Sequence, residues 1–178
     1  LEVEHGVRRR WVWARLGMCP LAEALGHLTV LAKRTATTLG GDSSDAMAKL
    51  YVAGGYLADD AVMRALACVK TAEDTAVVQA AVRSAYLPWL EDTTRHFQQR
   101  LDSNALSVPT QQEGIDVEAG ECVLFSDGLR FDVGQRLAAM AGERHMEMSA
   151  GWRWAALPTV TATGKPAASP IAGKLRGG

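Results

Sequence analysis

The chain reads as a helical N-terminal region followed by an incomplete α/β unit, and three observations predict this. Apolar residues recur at helical spacing from Leu21 to Leu101. A stretch carrying Pro109, Gly114 and Gly120 then breaks the pattern. After it come a short apolar run, an acidic turn, a helical stripe and a second apolar run, the order of a strand–helix–strand crossover. The expected organisation is a helical region at 1–102, a linker at 103–120 and the first βαβ part of a truncated α/β domain at 121–178.

Taken in order, the first expected feature is Arg8-Arg9-Arg10 beside Trp11 and Trp13. It is read as a helix start with packed tryptophans and solvated arginines; contact with nucleic-acid phosphates is the alternative. Pro20 opens a helix, since proline is welcome in a first turn. Its stripe is Leu21, Leu25, Leu28 and Ala32, and its end is expected at Gly40-Gly41. Asp42-Ser43-Ser44-Asp45 offers capping oxygens for the next helix, and Gly54-Gly55 is expected to kink or break it. Asp59-Asp60 reads as a first-turn pair that favours a helix N-terminus, with Val62, Leu66 and Val69 continuing the apolar face. Thr71-Ala72-Glu73-Asp74 matches the Ser/Thr-x-x-acid capping signature and leads a helix to about Tyr86. Pro88 is expected to start another, with Leu90, Thr94, Phe97 and Leu101 on one stripe. His96 lies beside that stripe as a packed or surface histidine.

Beyond the linker, Cys122-Val123-Leu124-Phe125 is expected to form a buried strand, ending at Ser126-Asp127-Gly128. Val133, Leu137, Met140 and Ala141 then mark a helix face. The stretch from Met146 to Leu157 is read as a second strand broken by Gly151, with Trp152 and Trp154 as packing residues. Asp127 would stand at the carboxyl end of the first strand, where open α/β sheets bind ligands. Thr159-Val160-Thr161-Ala162-Thr163-Gly164-Lys165-Pro166 would follow the second strand as a hydroxyl-rich loop, with a short helix starting near Pro166. A carboxylate and an alcohol at neighbouring strand ends suit metal-assisted phosphoryl transfer.

Asp127-Gly128-Leu129-Arg130-Phe131-Asp132, followed by Leu157-Pro158-Thr159-Val160-Thr161, resembles the PglZ domain of the alkaline-phosphatase superfamily, which occurs in bacteriophage-exclusion defence systems. The resemblance implies an alkaline-phosphatase-like doubly wound sheet and a metal-dependent phosphatase or phosphodiesterase acting in phage defence. It implies two divalent metal ions, zinc or manganese, with Asp127 as a ligand. Thr161 would be both a metal ligand and the nucleophile. Arg130 is read as substrate-binding, with a salt bridge or the cap of the following helix as the structural alternative for Arg130 and Asp132; Lys165 is read as neutralising a phosphate oxygen, with an exposed loop lysine as its alternative. The implied partners are a phosphate-ester or phosphodiester substrate and defence proteins such as a DNA methyltransferase. A non-catalytic scaffold, docking a partner through the helical region, is the alternative.

One departure matters: no aspartate, glutamate or histidine follows Thr161, and His5, His27, His96 and His145 all lie upstream. With Leu1 at its start, the chain is read as an interior fragment, inactive alone, whose remaining metal ligands lie beyond Gly178. Composition narrows the classes further. The 178 residues are 48% hydrophobic and 22% charged, as in ordinary globular chains. A net charge of −1 gives no general pull towards nucleic acid. Three scattered cysteines, no signal pattern and no run of eighteen apolar residues predict a cytoplasmic protein without a membrane partner.

Overall fold

The structure is a computed structural model in which residues 2–103, 118–155 and 159–169 are described. The chain divides into two compact units, Leu1–Ala105 and Leu106–Gly178.

The first unit is helical throughout its regular elements. Two short helices, α1 (Glu2–Arg8) and α2 (Val12–Arg15), lead into α3 (Pro20–Arg34), α4 (Ser44–Leu50) and a π-helical turn at Tyr51–Gly55. Then come α5 (Tyr56–Ala67) and the long α6 (Ala72–Ser103). The start signals act locally and hold. Pro20 opens α3. Ser43 Oγ accepts from the Ala46 N–H at 3.1 Å to cap α4. Thr71 Oγ1 accepts from the Asp74 N–H at 3.1 Å ahead of α6. The glycine pair at 54–55 falls in the π-helical turn, where Gly54 leaves helical geometry.

Helix ends and phases differ from expectation. Helix α3 stops at Arg34, well short of Gly40-Gly41. Its buried residues are Ala24 and Leu31, with Leu28 partly buried, whereas Ala32 is exposed. The stripe is therefore shifted, because α3 lies against the alanine face of α5 formed by Ala58, Ala61 and Ala65. Small residues on both sides let the helices approach closely, and position Ala24, which carries little hydropathy signal, becomes central. Val69, Val78, Val82 and Trp89 complete this core.

Two expected helices are one: Pro88 lies inside α6. The ring removes one N–H donor from the helix, but the flanking Tyr86 and Trp89 rings pack together at 5.7 Å and carry the stripe through. Beyond the proline, α6 holds an extended loop by three bonds. Trp89 Nε1 donates to Thr37 O (3.1 Å), the Leu39 N–H donates to Thr93 Oγ1 (3.4 Å), and His96 Nε2 lies 3.0 Å from Gly41 O. The expected packing of Trp11 and Trp13 fails, since both are about half exposed.

The second unit corrects the fold class. Among its described residues there is no strand; α7 (Phe131–Glu143) and α8 (Thr161–Ala168) are the regular elements. There is thus no βαβ unit and no doubly wound sheet among the described residues. Residues 122–125 are non-helical but unpaired, and Leu124 is 88% exposed. Residues 146–155 are likewise without a ladder, and Leu157-Pro158 fall outside the described residues. The physical reason is that a strand satisfies its backbone only against a neighbour. Apolar runs supply hydrophobicity but not that neighbour. Helix α7 forms where its periodicity predicts, yet Leu137 and Met140 remain exposed. Most of the expected linker, 104–117, also lies outside the described residues.

Candidate functional site

The residues singled out by the sequence lie in the second unit, around a turn and the start of α8. Ser126 leads into a turn at Asp127-Gly128. Gly128 takes φ 71°, a left-handed conformation that glycine adopts without steric cost. Asp127 is thereby held at the apex of the turn rather than at a strand end.

The hydroxyl-rich segment is not a loop. Helix α8 begins at Thr161, five residues ahead of Pro166, which lies inside it. Val160 is the N-cap and has no side-chain acceptor; its carbonyl instead receives the Thr163 and Gly164 N–H groups at 3.1 and 2.8 Å. Thr163 Oγ1 also donates to Val160 O at 3.1 Å. Thr161 is the first residue of the helix and is exposed, at the end where backbone N–H groups and the helix dipole favour negative charge.

An ion pair joins the first motif to the helix that follows the second. Lys165 Nζ lies 2.7 Å from Asp127 Oδ2, with the two side chains 51% and 57% exposed. Thr161 and Lys165 are four apart on one helix face, and helical side chains lean towards the N-terminus. The Asp127 carboxylate therefore sits beside the face of α8 that carries Thr161. Lys165, expected as a phosphate-binding residue, here neutralises the expected metal ligand.

Arg130 is engaged differently. Its Nε pairs with Asp132 Oδ1 at 2.9 Å. Asp132 is 1% exposed, and its Oδ2 has no hydrogen-bond partner. The pair is the salt bridge that the structural alternative for Arg130 and Asp132 expects; the burial of Asp132 has no further signal in the sequence than its place two residues after an arginine at a helix start. Trp152 and Trp154 stack edge to face at 5.8 Å, with Trp152 still 39% exposed. Arg153 Nη2 donates to Ala167 O at 3.4 Å, tying their segment to the end of α8.

A divalent ion held by protein needs several oxygen, nitrogen or sulfur donors. Asp127 and Thr161 provide one carboxylate, already ion-paired, and one alcohol. Among the described residues no group of three or more His, Cys, Asp or Glu side chains is arranged to hold a metal ion. These residues do not by themselves fit the two-metal centre that the PglZ resemblance implies.

The first unit contains a polar constellation that sequence reading missed. Asp59 accepts from the Tyr51 hydroxyl at Oδ2 (2.7 Å) and from the Tyr86 hydroxyl at Oδ1. Neighbouring Asp60 pairs with Arg64 at 2.6 Å. The pair is thus directed to two helix faces, and Asp59 serves as an internal anchor for α6 more than as a solvated helix-start acid. Burial, together with Arg64 and Arg9, holds the His27 imidazole below its ordinary pKa against the opposing pull of Asp60 and Glu23. Burial and Glu23 push the Cys68 thiol up, and its Sγ donates to Arg64 O at 3.2 Å. Cys19, Cys68 and Cys122 are all free thiols. Among the described residues, no helix is long and apolar enough to cross a membrane. No protein-family model, curated protein or solved structure matches this chain.

Proposed function

We propose that the chain carries part of a phosphoester-cleaving site, in the manner of a PglZ-type phosphatase or phosphodiesterase of phage defence. The observation that supports this reading is the Asp127–Lys165 contact at 2.7 Å, which brings the aspartate of the first motif to the helix that starts at Thr161. Thr161 Oγ1 would form the new bond to phosphorus as the bond from phosphorus to the ester oxygen breaks, its hydroxyl proton passing to the departing alcohol, and water would then hydrolyse the phosphothreonine. Lys165 would neutralise a non-bridging phosphate oxygen as a point charge, and the uncapped start of α8 would receive the same anion. Asp127 would hold the lysine in place until substrate arrives. The two divalent ions implied by the resemblance, zinc or manganese, would draw most of their ligands from outside the described residues. On this reading hydrolysis requires metal ligands in addition to Asp127 and Thr161.

The test is expression of the protein as its gene encodes it, followed by Asp127→Ala and Thr161→Ala. Hydrolysis of bis(p-nitrophenyl) phosphate with added Mn²⁺ or Zn²⁺ is the readout. Loss of at least a hundredfold in rate is expected for Thr161→Ala, as for removal of a nucleophile. Unchanged metal-dependent hydrolysis in both variants rejects the reading. The same proposal places the protein in the cytoplasm, beside defence proteins such as a DNA methyltransferase. The three free cysteines fit a reducing compartment.

A second reading, an assembly module, is favoured by one specific observation. The first unit has its own packed core yet leaves Trp11, Val12, Trp13, Leu16 and Met18 exposed at one end of its sequence. Large exposed apolar patches mark interaction sites, and these five residues lie within eight positions of one another in the sequence. Undiminished defence by a Thr161→Ala strain would favour it over the enzyme.

A further inference from the structure

The turn that carries Asp127 also holds a reactive peptide bond. Asp127 is followed by Gly128, the one Asp-Gly step in the sequence. The Asp127 side chain is 57% exposed. Gly128 takes φ 71°, and beyond its chain neighbours nothing among the described residues comes within 4 Å of the place a Cβ would occupy. With no Cβ on the residue it belongs to, the Gly128 nitrogen can approach the preceding carboxyl carbon without steric hindrance. The other described aspartates are placed differently. Apart from Asp42, they lie in helices, whose fixed dihedrals point each amide along the axis towards the preceding turn. After Asp45 and Asp74 the next amide is already engaged: the Ala46 N–H donates to Ser43 Oγ at 3.1 Å and the Thr75 N–H to Thr71 O at 3.0 Å. Asp42 precedes Ser43, whose Cβ crowds the nitrogen.

We infer that Asp127-Gly128 is a site of spontaneous modification, passing through a cyclic succinimide to isoaspartate. The Gly128 nitrogen attacks Asp127 Cγ. The N–Cγ bond forms, the Cγ–OH bond breaks, and the hydroxyl leaves with the amide proton as water. Water then adds to either ring carbonyl. Opening the N–Cγ bond restores aspartate; opening the bond from nitrogen to the main-chain carbonyl carbon gives isoaspartate. A water is lost and a water regained, so neither oxidant nor reductant is needed. Lys165 sets the pace. The ring is uncharged, so the contact between Lys165 Nζ and Asp127 Oδ2 at 2.7 Å stabilises the open aspartate and not the ring. An exposed pair of this kind slows closure by up to about fivefold. In the isoaspartate the main chain runs through the former side chain and the carboxylate stands on the α-carbon, so the link to α8 is lost. The inference is independent of the chemistry at Thr161.

The test is incubation of the whole chain at neutral pH for several weeks, beside the same chain unfolded in urea. Digestion with trypsin and glutamyl endopeptidase then releases residues 122–130 (CVLFSDGLR), in which Asp127 is the one aspartate. Chromatography with electron-transfer fragmentation measures its isoaspartate content. Isoaspartate should accumulate at residue 127 faster than at any other described aspartate of the folded chain. Hydroxylamine, which traps the ring, should cut the chain between residues 127 and 128. Asp127→Glu, which would have to close a larger ring, should give neither product. Lys165→Ala should speed formation by up to about fivefold. Isoaspartate at residue 127 in urea but not in the folded chain, or in neither, would overturn the inference, as would no more of it there than at Asp42. An unchanged rate in Lys165→Ala would overturn the part assigned to the ion pair.

Discussion

Removing the carboxylate of Asp59 should loosen the first unit by an amount that can be worked out from its partners. Two hydroxyls converge on it, Tyr51 from the π-helical turn and Tyr86 from α6. Hydrogen bonds to a charged acceptor contribute roughly 1.5–3 kcal/mol each when well enclosed. Both bonds here are partly buried, so water can replace some of what is lost, and about 2–4 kcal/mol is expected in total for Asp59→Ala. Tyr51→Phe and Tyr86→Phe should each cost about 1–2 kcal/mol by the same reasoning. The decisive measurement is a double-mutant cycle by urea denaturation followed at 222 nm. If the carboxylate is the shared acceptor, Tyr86→Phe should cost less than about 0.5 kcal/mol once Asp59 is alanine. An unchanged cost of Tyr86→Phe in both backgrounds, or a loss below about 0.5 kcal/mol for Asp59→Ala, would refute the anchor.

Two further outcomes are expected. Leu31 is fully buried in a core rich in alanine (Ala24, Ala58, Ala61 and Ala65), and such short side chains do little to fill a void. Leu31→Ala should therefore fall in the upper part of the usual range, about 3–5 kcal/mol in urea denaturation, and a loss under about 1 kcal/mol would mean that the core lies elsewhere. For His27 the folded pKa is below the ordinary 6.5, so the unfolded chain binds the proton more readily. Stability is then retained above that ordinary value and declines as pH falls from it towards the lowered folded pKa. His27→Gln should reduce the shift of the urea midpoint between pH 7.5 and 5.5; an identical shift in both proteins would place the acid sensitivity in other groups.

What was legible in the sequence follows from how local each cause is. Pro20, Ser43 and Thr71 start helices through bonds and dihedrals within a few residues, and they do so here. The phase of α3 was not legible, because Ala24 becomes core only through the alanine face of α5. The continuity of α6 through Pro88 depends on the packing of Tyr86 and Trp89, which no single-residue preference encodes. The strands expected at 122–125 and from 146 required partners far along the chain, and the described residues supply none. At the candidate site, Asp127 and Lys165 were legible as reactive groups, whereas their pairing with one another was not. Thr161 was expected in a loop and stands instead at the head of a helix.

The three bonds between α6 and the preceding loop set a register. Their helical members, Trp89, Thr93 and His96, rise by about one turn each, while their loop members, residues 37, 39 and 41, follow at every second position. Two periodicities are thus matched tooth for tooth, like a rack laid along a gear. Inserting a single residue between Thr37 and Gly41 would put every later tooth out of step, whereas the same insertion earlier, between Thr35 and Thr37, would leave all three engaged. The tolerance of this loop to length change is thereby confined to the residues on either side of 37–41.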